Sequence, residues 1–208
     1  MNLLAHLHLS DGRPAAVAAG NLLADYLRRL GADAPDGDFA AGVRLHRAID
    51  AFADAHPVLR AARAGFAPPW RRWGGILVDV ACDFFLTRAW PRYSSVPLRD
   101  YVAARLAEIQ RYLQDRPTPL APLVDRLLAE EWLLSYGSPE GLRLAFDRVA
   151  RRSPAAAALR GAEREIDRHR KALQAAFDEF YPQILVRFER TLPPAAPPET
   201  QSPSAISP

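Results

Sequence analysis

The sequence predicts an all-α fold, built as a single helical domain, and three observations carry that prediction. Apolar residues recur at helical spacing, most clearly at Val102, Leu106, Ile109 and Leu113, which share one stripe. Strand signals are nearly absent: no sustained β-branched alternation occurs, and no Asn-Gly or Asp-Gly turn lies between such runs. Prolines punctuate the chain at positions 14, 57, 91, 117, 139 and 154, near the boundaries that the periodicity sets.

Taken in order, a first helix is expected over about residues 2–10, where the apolar run NLLAHLHL opens the chain. A second follows Pro14 over 15–31. The third, 38–53, carries the segment LHRAIDAF, and a fourth begins across His56-Pro57 and runs over 56–65. A long, almost wholly apolar helix is expected at 70–90, stopped by Pro91, and a regular amphipathic one at 97–115. Beyond Pro117 the pattern predicts a helix at 118–136. Ser138-Pro139 and Ser153-Pro154 each read as an N-cap followed by a first-turn proline, opening helices at 138–150 and 155–161. A last helix is expected over 162–190. Residues 191–208 (TLPPAAPPETQSPSAISP) are rich in proline and serine and carry one charge, Glu199. They are expected to be disordered, which leaves 1–190 as the folded domain.

At 208 residues the domain is large enough to bury a core without disulfide staples. Its single cysteine, Cys82, lies in the apolar stretch 76–90, so an inert buried thiol is expected, with no disulfide and no cysteine metal cage. That usage is compatible with a reducing cytoplasm. No secretory leader is evident, and no stretch approaches the roughly 18 apolar residues of a membrane span. A soluble cytoplasmic protein is therefore expected.

The formal net charge is +3, and Lys171 is the only lysine among 27 basic residues. Arginine suits bidentate contact with carboxylate and phosphate. The surplus is small and acidic residues are interspersed, which argues against nucleic acid and suits an acidic protein or a phosphorylated substrate. No G-x-S-x-G elbow, phosphate loop or G-x-G-x-x-G element is present, which disfavours serine hydrolase, nucleoside triphosphatase and dehydrogenase chemistry.

The chemistry gathers in four places. His6 and His8 are two apart, so on a helix they point roughly 200° away from each other, and His6 is the inward member. Asn21 and Asp25 form an i, i+4 pair inside a helix, where a capping role for the aspartate is weak. In residues 42–57 (GVRLHRAIDAFADAHP), His46, Asp50 and Asp54 recur four apart beside Arg44, Arg47 and His56. Arg47 also suits a solvated face, and Asp54 serves equally as a cap for the next helix. Asp79 and Asp83 lie in ILVDVACDFFLTRAW, whose apolar neighbours leave little polar face. A buried carboxylate needs an arginine, a histidine or a metal beside it. Oxygen and imidazole donors from four helices suit Mn²⁺ or Mg²⁺ better than structural zinc, and such an ion serves phosphoester hydrolysis.

At these residues the sequence resembles the acyl carrier protein phosphodiesterase family. The resemblance rests on MNLLAHLHLS, GNLLADYLR, AGVRLHRAIDAFADAHPVLRAAR, GGILVDVACDFFLTRAW, EEWLLSYGSPEGL and FYPQIL, spanning about residues 1–190. It implies an all-helical enzyme, distantly like the HD-type metal phosphohydrolases, that removes 4′-phosphopantetheine from holo-acyl carrier protein with a divalent cation, Mn²⁺ above Mg²⁺. The matching positions are His6, Asp25, His46, Asp50, Asp54, His56, Asp79 and Asp83. In the roles it implies, Asp25, His46, Asp79 and Asp83 hold the metal, and His6 or Asp50 orients or carries a proton. Arg44, Arg47, Asp54 and His56 serve the substrate. The alternatives are a phosphohydrolase acting on a small phosphodiester or nucleotide, and an inactive module that binds the carrier protein. One departure stands out: Phe84 follows Asp83 where the family usually has histidine, and Ala89 stands at another position that is often polar.

Overall fold

The computed structural model describes residues 1–116 and 118–188, and among them are eleven α-helices, three 3₁₀ turns and no strand. The expected tail at 191–208, the boundary at Pro117 and the last two residues of the expected final helix lie outside the described residues. The helices are α1 (Leu3–His8), α2 (Ala15–Leu30), α3 (Gly37–Ala55), α4 (Pro57–Ala64), α5 (Gly74–Arg88) and α6 (Leu98–Gln114). They continue with α7 (Ala121–Ala129), α8 (Trp132–Ser135), α9 (Pro139–Ala150), α10 (Glu163–Arg168) and α11 (Arg170–Arg187). None of them is long and apolar enough to cross a membrane.

The expected all-α fold is thus present, and the differences lie where the chain bends. The helix expected over 70–90 is three pieces: 3₁₀ turns at Trp70–Trp73 and Trp90–Arg92 flank α5. The one expected over 118–136 breaks at Glu131, whose φ of +47° is left-handed and cannot continue a right-handed ladder. Residues Ala155–Leu159 form a 3₁₀ turn rather than an α-helix, closed by Gly161 at φ +85°. The last expected helix divides at His169 into α10 and α11.

Two local devices position the centre of the molecule. The first is a glycine contact between α2 and α3, the most closely associated helix pair. A Cβ on Gly20 would lie 2.1 Å from the Phe39 carbonyl oxygen, and one on Gly42 would lie 2.1 Å from that of Val17. Only hydrogen side chains let these two backbones touch, which sets Asn21 of α2 against His46 of α3 one turn beyond Gly42.

The second device anchors α1. At six residues this helix is too short to hold itself, and its N-cap Asn2 makes no side-chain cap bond. The cap comes instead from α5: the Leu4 and Ala5 amides donate to the two oxygens of Asp83 at 2.8 and 2.9 Å. Leu4, Ala5, Leu7 and Leu9 are fully buried around this anchor. A carboxylate satisfying orphan amides at a helix N-terminus also meets the positive end of the helix dipole.

Candidate active site

His6 of α1, Asn21 and Asp25 of α2, His46 and Asp50 of α3, and Asp79 of α5 converge on one side of the glycine contact. Asn21 is fully buried, and its orientation follows from its partners. Its Nδ2 donates to the His6 carbonyl oxygen at 2.8 Å and to Ser10 Oγ at 2.7 Å. Its Oδ1 therefore faces His6 Nδ1 at 3.0 Å, and its backbone carbonyl faces His46 Nδ1 at 2.8 Å. Both atoms are acceptors, so both Nδ1 atoms carry hydrogen and both neutral rings keep their lone pair on Nε2.

Those lone pairs point at Asp50. His6 Nε2 lies 3.2 Å from Asp50 Oδ1 and His46 Nε2 lies 3.2 Å from Asp50 Oδ2. Neither nitrogen forms a hydrogen bond despite being buried, because a ring lone pair has no hydrogen to give a carboxylate oxygen. Two lone pairs and a carboxylate facing across that gap repel one another unless a cation lies among them. One ligand atom from each of His6, His46 and Asp50 lies within 4.8 Å of the others. The donor set, two neutral imidazoles and a carboxylate with both rings oriented from behind, fits a divalent metal.

Electrostatics keep these donors in the right state. Burial lowers His6 to about 4, and the neighbouring Asp50 carboxylate offsets that only in part. Burial works against ionisation of Asp50, yet the imidazoles and the Met1 amine around it hold its carboxyl well below the usual carboxylate range. The Met1 amine sits 2.8 Å from Asp50 and 3.3 Å from Asp79, and links the two carboxylates. Asp79 is raised by burial, and its Oδ1 makes no hydrogen bond. Asp25 stands on the solvent side, half exposed, 3.8 Å from His46 Nε2 and 3.2 Å from Arg28.

The sequence profile of the acyl carrier protein phosphodiesterase family matches residues 1–184. The chain belongs to the acyl carrier protein phosphodiesterase family. Acyl carrier protein phosphodiesterases of Escherichia coli K12 (DH10B) and of E. coli O157:H7 (EC4115) are each 35% identical to it over 191 residues. Those alignments cover 91% of this chain and 98% of each relative. No solved structure matches the chain significantly.

Within this family member, the residues singled out in the sequence separate into three groups. His6, His46, Asp50, Asp25 and Asp79 come together at the site. Asp83 does not join them: it caps α1, and burial pushes its carboxyl up to about 7 against the opposing pull of the Leu4 and Ala5 amides. It acts on the site by fixing the helix that carries His6. His8 is buried elsewhere, bonded through Nδ1 to the Tyr181 hydroxyl at 2.8 Å and edge-on to Trp90.

The remaining positions lie outside the cluster. Arg44 and Arg47 are exposed on α3. Asp54 pairs with Arg63 at 2.8 Å, and His56 bonds Gln183 at 3.2 Å with its ring edge-on to Phe180. Both brace the α3–α4 corner. Phe84, in place of the family's usual histidine, is buried with its ring beneath the guanidinium groups of Arg88 and Arg170. Asn21 is the central residue that spacing alone left without a role. Its signal was a polar side chain on an apolar helix face directly after Gly20.

Proposed function

We propose that the chain is a metal-dependent phosphodiesterase that removes 4′-phosphopantetheine from the serine of holo-acyl carrier protein, leaving the apo form. Family membership supports the reaction, and one observation supports its location: Asn21 fixes both Nδ1 hydrogens, so two Nε2 lone pairs and the Asp50 carboxylate share one buried point. His6, His46 and Asp50 would hold the cation, with Mn²⁺ as the preferred ion and Mg²⁺ as the alternative. Bound there, the ion supplies Lewis-acid charge to a phosphoryl oxygen and to an attacking water.

The chain's own groups do the rest. Asp25, half exposed beside His46, is positioned to take a proton from a water entering from solvent. The water oxygen bonds to phosphorus, the bond from phosphorus to the serine oxygen breaks, and serine leaves as the hydroxyl after gaining a proton. Asp79, which shares the Met1 amine with Asp50, is the further carboxyl placed to pass on that proton. Arg44 and Arg47, exposed on the same helix as His46, are placed to meet the acidic surface of a carrier protein. The buried free thiol of Cys82 suits a cytoplasmic setting, where the reaction would regulate carrier protein for fatty acid synthesis.

The test follows the mass of holo-acyl carrier protein mixed with the purified chain and Mn²⁺. A loss equal to phosphopantetheine, abolished by EDTA and by Asp50→Ala, is expected. Binding of the carrier protein with unchanged mass would overturn the enzymatic reading and leave a binding module. Turnover of a small phosphodiester or nucleotide but not of holo-carrier protein would overturn the substrate.

A further inference from the structure

The Met1 amine is the group at the site whose charge the reaction above leaves unexplained. Its nitrogen lies 2.8 Å from Asp50 Oδ1 and 3.3 Å from Asp79 Oδ1. Among the described residues, no arginine or lysine comes within ion-pair distance of either carboxylate. An amine held between two carboxylates is an ammonium, because each opposite charge favours the protonated form.

The backbone fixes this ammonium in place. Asp83 takes the Leu4 and Ala5 amides, and Asp79, one turn earlier on α5, meets the Met1 nitrogen. The start of the chain is thus held twice by one helix. Asp50 is divided between two kinds of partner. Its Oδ2 faces His46 Nε2, and its Oδ1 faces both His6 Nε2 and the ammonium. In two-metal hydrolytic sites the ions lie roughly 3.5–4 Å apart, close enough to share a carboxylate. Here a fixed positive charge already occupies the far side of the carboxylate that faces the two imidazoles.

We propose that the Met1 ammonium is the resident cation of the site, filling the place between Asp50 and Asp79 that a second metal would take, so that His6, His46 and Asp50 accept a single divalent ion. The count of one ion rests on the metal reading above; the place of the ammonium between the carboxylates does not. It acts as a positioning group, holding Asp79 beside Asp50. Acylating the nitrogen, or joining a residue before it, removes the charge and opens that place to a second ion.

The test begins with the N-terminal peptide of the purified chain: a Met1 nitrogen carried in a peptide bond or an acyl group would overturn the proposal. Lys171 is the only lysine, so Lys171→Arg leaves Met1 as the sole primary amine for an acetylating N-hydroxysuccinimide ester. In the folded protein, with or without Mn²⁺, acetylation is expected to be at least about tenfold slower than in urea. Equal rates would overturn the proposal, and so would acceleration by Mn²⁺, because the amine would then be yielding to the ion. Calorimetric titration with Mn²⁺ is expected to count one ion in the native chain. A chain with one glycine added before Met1 moves the charge by roughly 3.5 Å and is expected to take two. Its fold is kept by the Asp83 anchor, which does not involve Met1. Adding Asp79→Asn to that extended chain should return the count to one. Two ions in the native chain, or one in both chains, would overturn the proposal. A protected amine in a protein that takes no Mn²⁺ in either form would uphold the place of the ammonium while overturning the metal reading.

Discussion

The imidazoles of His6 and His46 stack with centroids 4.0 Å apart and planes 17° from parallel, although one ring comes from α1 and the other from α3. Two protonated rings at that distance would repel strongly, so the stack does not carry two charges. Asn21 makes the stack useful by taking both Nδ1 hydrogens on one side. In the proposed metal site it would stand where a carbonyl or carboxylate orients a histidine ligand, shared between the two rings.

Asn21→Ala is expected to weaken Mn²⁺ binding by about 10- to 100-fold, the usual cost of removing the group that orients a histidine ligand. It also strands the buried His6 Nδ1–H, while Ser10 Oγ keeps its bond to the His6 carbonyl oxygen, at a stability cost of about 1–3 kcal/mol. Metal titration and urea unfolding measure the two effects separately. Unchanged Mn²⁺ affinity in a folded Asn21→Ala protein would remove Asn21 from the site.

Gly42→Ala places a methyl 2.1 Å from the Val17 carbonyl oxygen, a contact that only backbone movement relieves. The expected destabilisation is at least about 1–3 kcal/mol, as for overpacked cores. Metal affinity should fall with it, because His46 moves with α3. Gly75→Ala is the control, since a Cβ there meets nothing within 4 Å. Equal urea midpoints for the two variants would contradict the tight crossing.

Asp83→Ala removes both acceptors of the Leu4 and Ala5 amides. The expectation is lost stability of roughly 1–2 kcal/mol, as for other helix caps, together with faster hydrogen exchange of the α1 amides. Asp83→Asn keeps one acceptor and should restore part of both. If Asp83→Ala abolished metal binding while the α1 amides stayed protected, the residue would be a ligand rather than an anchor.

Acid should weaken the metal-free fold through His6. Its folded value is about 4 against 6.5 in the unfolded chain, so the unfolded state binds a proton first as pH falls. Stability from this group is complete above about pH 6.5, is lost between 6.5 and 4, and changes no further below that. The loss is about 3 kcal/mol at most by the usual conversion of pKa shift to free energy. Unfolding midpoints across that range should fall more steeply in wild type than in His6→Gln. Parallel profiles would show that His6 does not titrate as its burial requires.

Sequence alone determined the helical class, because Val102, Leu106, Ile109 and Leu113 repeat at helical spacing and no segment alternates as a strand does. It also selected His6, Asp25, His46, Asp50 and Asp79, since a polar residue among apolar neighbours on a helix is conspicuous from spacing alone. The breaks at Glu131 and His169 were not legible, because a left-handed or bridging backbone conformation at a non-glycine residue is imposed by tertiary contacts rather than by local preference.

Tertiary structure decided which of two similar carboxylates faces the site. Asp79 and Asp83 lie one turn apart on the same apolar helix, yet Asp83 meets the amides of α1 and Asp79 meets the Met1 amine. Helical spacing reports which residues share a face, and only the neighbouring helices report what that face touches. Asn21 shows the same limit: its four polar contacts come from α1, from Ser10 just beyond it and from α3, brought within reach by two glycines whose missing side chains let α2 and α3 meet.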